Sequence, residues 1–124
     1  MAENKPYITQ KQENGSIQIS EEVIVSIATV AISETEGVSG FAVRTGAELV
    51  DMLNKKSRGK GIKVTITEDD RLFVTCNIIV NYGTAVVNVA KAVQENVASS
   101  VESMTGLNVE EVTVNVCGIS VEQK

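Results

Sequence analysis

The sequence predicts an α+β domain, a small mixed β-sheet with helices packed on one face, in the order β-α-β-α-β-β-α-β. Three observations carry this. Arg71–Tyr82 alternates as a long strand and puts Leu72, Val74, Cys76, Ile78 and Val80 on one face. After Gly83, apolar residues recur at Val86, Ala90, Val93, Val97, Val101 and Met104, the three- and four-residue spacing of one helical stripe. Gly106 stops that helix, and Val109–Val121 alternates again, with Val112, Val114 and Val116 on one face. A strand–helix–strand connection of this length is a crossover, so the two strands are expected to run parallel in one sheet.

The remaining elements follow in chain order. Residues 1–14 are polar and lack periodicity, which predicts a flexible tail before a single domain over 15–122. Ser16–Ile19 forms a short strand. Ser20 is placed to cap a helix, and Glu21 and Glu22 suit its positive end. Val23, Ile24, Ile27, Ala28 and Ala31 then recur at helical spacing. Val25, Val30 and Ile32 fill its other sides, so this helix is either deeply buried or touches a second surface. Glu36-Gly37-Val38-Ser39-Gly40 breaks it, and Phe41–Thr45 is a brief extended piece. Ala47–Lys56 reads as a short helix with Leu49, Val50 and Leu53 on one side. Ile62–Glu68 alternates as a strand, Asp69-Asp70 turns the chain, and Arg71–Tyr82 completes a hairpin. Thr84 is the expected cap of the following helix.

Composition narrows the function. The chain has 124 residues, 43% of them hydrophobic, enough for one folded core. Aromatic residues are only 3%, so platforms for stacking bases or sugars are scarce. The net charge is −5, and all of it falls in residues 64–124, where Arg71, Lys91 and Lys124 face eight acidic residues. An acidic chain is a poor general binder of polyanions. Two cysteines in a chain without a visible secretion signal read as buried, reduced thiols of a cytoplasmic protein. They are placed on opposite sheet faces, so no internal disulfide is expected. The longest apolar stretch, Val23–Ile32, falls short of the ~20 residues that a membrane span needs.

Site chemistry is sparse. The chain has no histidine and no pattern for an activated Ser or Cys, so it offers no acid–base or nucleophilic set. No catalytic residue, cofactor site or metal site is predicted. Glu68-Asp69-Asp70 is read as turn chemistry rather than a metal site, because no further ligands are spaced to complete one. The basic run is the strongest candidate surface: Lys55, Lys56, Arg58, Lys60 and Lys63 put five of eleven basic residues within nine positions, beside Gly59 and Gly61. It fits neither a phosphate-binding loop nor the GxxG clamp of a KH domain. It reads as a solvated connector, or as a contact for anionic lipid, a protein partner or nucleic acid. Tyr82, at the strand–helix junction, is a contact candidate or a residue packed at the sheet end.

Several strings then suggest a family. Asn81-Tyr82-Gly83-Thr84, Val89-Ala90-Lys91-Ala92-Val93-Gln94, Thr105-Gly106-Leu107 and Val114-Asn115-Val116-Cys117-Gly118-Ile119 occur in that order. With the opening Gly15-Ser16-Ile17-Gln18-Ile19-Ser20-Glu21-Glu22-Val23-Ile24 and the Glu36–Gly40 break, the chain over about 15–121 resembles the alkaline shock, or general-stress (Gls-type), proteins of the Gram-positive envelope stress response. The resemblance implies a cytoplasmic, non-enzymatic protein of cell-envelope homeostasis. It implies self-association into a homo-oligomer, and association with the membrane through a small membrane-anchored protein partner. It supplies no catalytic residues. The expected function is therefore a scaffold or adaptor acting by protein–protein interaction. The alternatives are a KH-like RNA-binding module and a regulatory partner of a lipid-metabolic enzyme. The missing GxxG, the acidic charge and the few aromatics weigh against nucleic acid.

Overall fold

The computed structural model describes residues 5–42 and 61–121. It is an α+β fold with strands β1 (Tyr7–Gln12), β2 (Gly15–Ser20), β3 (Val38–Phe41), β4 (Ile62–Ile66), β5 (Leu72–Asn81) and β6 (Val109–Ser120). The helices are α1 (Glu21–Ser33) and α2 (Val86–Thr105). The helix predicted over Ala47–Lys56 and most of the basic run lie outside the described residues.

β5 organises the sheet. β6 runs parallel to it along its whole length, from Leu72↔Val109 to Asn81↔Ser120. β4 pairs antiparallel with Leu72–Cys76, and β3 pairs antiparallel with Ile78–Val80. A strand has two edges, and β6 fills one of them, so β4 and β3 lie end to end along the other. The parallel crossover and the β4–β5 hairpin are as the pattern predicts, with each strand one or two residues shorter than its alternating run.

Both helices cover one face. The residues of β5 that face them, from Leu72 to Val80, are fully buried, as are Ile24 and Ile32 of α1 and Val93, Val97 and Val101 of α2. Burying an aliphatic side chain of this size contributes about 1.5–3 kcal/mol each, and this continuous layer supplies the apolar burial that favours the fold. Thr35 is the one buried polar residue among the described residues. Its hydroxyl donates to the Ala31 carbonyl at 2.8 Å and accepts from Asn96 at 2.8 Å, which ties the end of α1 to the middle of α2. Gly106 ends α2 at φ 78°, the left-handed cap that glycine adopts without strain.

Several expectations are corrected. Residues 1–14 are not all tail: Tyr7–Gln12 pairs with Gly15–Ser20 in a separate two-stranded sheet. Period-two patterning in YITQKQ is weak because only Ile8 is buried there, and the strand is held from outside. Lys5 N–H donates to the Ile66 carbonyl at 2.8 Å, and the Gln10 amide donates to the Thr105 carbonyl at 3.0 Å. In α1 the buried stripe is Ile24, Ile27, Ala28, Ala31 and Ile32, whereas Val23 and Val30 are exposed. In α2 the stripe is Val89, Val93, Val97 and Val101, and Met104 is 70% exposed. Thr84 does not cap α2. Its hydroxyl donates back to the Asn81 carbonyl at 2.7 Å, and Ala85 takes the cap position with no side-chain bond.

Candidate interaction surface

β6 is the element whose surroundings differ most from its sequence pattern. It is a 12-residue strand at the rim of the sheet, and among the described residues no strand pairs with its outer edge. Backbone groups of a strand point alternately to its two sides. The Thr113 carbonyl lies 3.7 Å from the Cys76 sulfur, on the β5 side. Asn115 also faces β5, because its counterpart Asn77 turns the other way, donating its N–H to the Gly61 carbonyl and accepting from the Ala42 N–H. The N–H and C=O groups of Val112, Val114 and Val116 therefore point outward. A register shift between Val116 and Gly118 reverses the alternation, and the Ser120 carbonyl accepts from Tyr82 N–H at 2.8 Å.

The outer edge carries little of the usual protection. From Val112 to Ser120 it has no Lys, Arg, Asp, Glu or Pro, the residues that ordinarily keep sheet edges apart. Its acidic pair, Glu110-Glu111, sits at one end. One outward carbonyl, that of Val112, accepts a hydrogen bond from the exposed Gln94 amide of α2 at 2.9 Å. On the helix side Val112, Val114 and Val116 are only half-buried, since α2 overlies them from one side. On the other face Thr113 and Asn115 are exposed, and the Asn115 amide donates to the Asn77 side chain at 2.9 Å.

Of the sequence-predicted surface residues, Lys63 and Tyr82 are among the described residues. Lys63 is exposed on β4, and Thr75 of β5 stands between it and Thr113 of β6 in the strand register. Lys55, Lys56, Arg58 and Lys60 lie outside the described residues. The chain leaves the described fold at Ala42 and re-enters it at Gly61, and both positions are bonded to Asn77. Gly61 has no room for a side chain: a Cβ there would sit 2.9 Å from the Phe41 Cβ. Tyr82 is 73% exposed, which corrects the expectation that it packs at the sheet end. It stands where β5 ends, next to Ser120 of β6.

Among the described residues no group of three His, Cys, Asp or Glu side chains gathers as a metal site. The Thr67 hydroxyl donates to Asp69 and holds its carboxyl below the usual range, while Lys5 pairs with Asp70. This is the hydrogen-bonded turn that the acidic cluster predicts. Cys76 and Cys117 are both free thiols. Cys76 is buried, and loss of hydration pushes its pKa up to about 11. Cys117 is exposed, correcting the reading of both thiols as buried. The signal for its exposure was present in the alternation, which puts it opposite the valines. Among the described residues no helix is long and apolar enough to cross a membrane.

Comparison with known proteins places the chain. It is 33% identical over 110 residues to the YqhY protein of Bacillus subtilis (strain 168), covering 89% of this chain and 81% of that protein. It is also 33% identical over 116 residues to the YloU protein of the same strain, covering 92% and 96%. Among solved structures, MamM CTD variants are similar at 14% identity, one with a TM-score of 0.49 covering 82% of this chain and 96% of that one. The family profile for alkaline shock protein 23, described as having a cell envelope-related function, matches residues 9–121. With nearly the whole described fold inside that match, the chain belongs to the alkaline shock protein 23 family.

Proposed function

We propose that this domain is a non-enzymatic scaffold or adaptor of the cell envelope, held at the cytoplasmic side of the membrane by contacts with other proteins. The observation that supports this reading most strongly is β6, a long rim strand that carries no charged residue from Val112 to Ser120 and whose valines are half-buried. Such an edge offers main-chain hydrogen bonds for affinity and side-chain rows for selectivity, the basis of recognition by strand addition. The family's cell envelope-related function fits a domain that works beside the membrane without entering it.

The test is sedimentation of the full chain with three kinds of vesicle. These are native membrane vesicles from the source cells, the same vesicles stripped of exposed protein by protease, and pure vesicles of anionic lipid. The expected result is binding to the native vesicles alone. Equal binding to pure anionic lipid would replace the protein partner with a lipid surface. Binding to none of the three, together with salt-sensitive RNA binding, would move the reading to nucleic acid.

A further inference from the structure

We infer that the occupant of the β6 edge is the β6 edge of a second copy, antiparallel, with the two-fold axis at Val114. This inference rests on the proposed scaffold reading and names one of its partners. The argument begins with the outward backbone groups. An antiparallel pair exchanges both hydrogen bonds only where the facing residues each point outward. Centring the pair on Val114 sets Val114 against its own copy and Val112 against the second copy's Val116, so all of these outward groups are matched. Shifting the centre to Asn115 would put Val112 against Gly118, which faces β5 beyond the register shift.

The side chains agree with the same register. On the helix side valine meets valine, and each of these residues is half-buried in a single copy. On the open face Thr113 meets the second copy's Asn115, a pair of exposed hydrogen-bonding side chains. Charge selects the direction. Parallel pairing in register would stack Glu110 and Glu111 on their own copies. Antiparallel pairing about Val114 sets Glu110 against Gly118 and Glu111 against Cys117, and separates the two Glu110 residues by roughly 27 Å at about 3.4 Å per residue. The Gln94 amide swings off the Val112 carbonyl when the second copy's Val116 N–H takes that acceptor.

The test is disulfide trapping by mixed variants in a Cys117→Ser background. Thr113→Cys and Asn115→Cys are both at exposed positions, so neither disturbs the core. When the two variants are mixed under mild oxidation, a covalent heterodimer is expected. Each variant alone should cross-link at a level lower by roughly tenfold, because its own copy is then two residues out of line. Sedimentation of the Thr113→Lys/Asn115→Lys double variant should show monomer at concentrations where the unaltered chain dimerises, since like charges would face each other. Mixing it with the Thr113→Glu/Asn115→Glu variant should restore the dimer. Stronger cross-linking of either cysteine variant alone, or an unaltered chain that stays monomeric throughout, would overturn the inference. Neither outcome touches the vesicle test. Protein-dependent membrane binding without the cross-link sinks this inference alone, and the cross-link without membrane binding sinks the scaffold reading alone.

Discussion

β5 and β6 are parallel neighbours with nearly the same alternating pattern, yet their surroundings differ. The helix-facing residues of β5 are fully buried, and both of its edges are paired, one by β6 and the other by β4 and β3. The helix-facing valines of β6 are half-buried, and among the described residues no strand pairs with the outer side of its backbone. Pattern alone tells which face of a strand is apolar. Position in the sheet decides whether that face is fully or only partly covered.

The first way to break the comparison is to place a charge at its buried side. Val97 lies fully buried in the helix layer over the sheet, so Val97→Asp should cost about 5 kcal/mol or more and leave the chain unfolded in a thermal melt. A near-normal melting temperature would show that the core lies elsewhere. Paired truncations sharpen the contrast. Ile78→Ala on β5 should cost about 2–5 kcal/mol, whereas Val116→Ala on its β6 counterpart should cost about 1 kcal/mol or less by urea denaturation at low protein concentration. Equal losses would mean that β6 is as much core as β5.

Gly61 tests the far edge of β5. Gly61→Ala drives a methyl group against Phe41 and the Asn77 carbonyl and should cost about 1–3 kcal/mol, even though the substitution is conservative. The smallest effect concerns the thiols. Cys117 should react with a thiol reagent without denaturant, and Cys76 only after unfolding. The folded-state pKa of Cys76 is raised to about 11 from an ordinary 9.0, so the unfolded chain ionises first. Stability from this group is intact below pH 9 and declines as pH rises toward about 11, which a denaturation series across that range would detect.

Much of the fold was legible because strong periodicity reports burial directly. The hairpin of β4 and β5, the α2 crossover and the parallel β6 all follow from Leu72–Val80, Val93–Val101 and Val112–Val116. What was not legible depends on contacts distant in sequence. The β1–β2 hairpin buries almost nothing of its own, and its placement comes from Ile66 and Thr105, which no local pattern names. Met104 keeps the spacing of the α2 stripe but lies at its end, beyond the cover of α1 and the sheet. The proposed interaction surface was not legible, because the charge pattern points to the basic run over residues 55–63 and periodicity does not tell which strand ends at the rim of the sheet. Its identity as β6, and the outward direction of Val112, Val114 and Val116, required the strand order and the register shift near Cys117. The same was true of Gly61, whose neighbour Phe41 lies 20 residues away in the sequence.

The central claim is that the outer edge of β6 is open in one copy and occupied in the assembly. Residue-resolved amide hydrogen exchange, followed as protein concentration rises, tests it most directly. The account predicts that Thr113 and Asn115 amides are protected at every concentration, since they bond to β5. It predicts that Val114 and Val116 amides exchange quickly in dilute solution and become protected as copies associate. Protection of Val114 and Val116 that does not change with concentration, or fast exchange at Thr113 and Asn115, would contradict it.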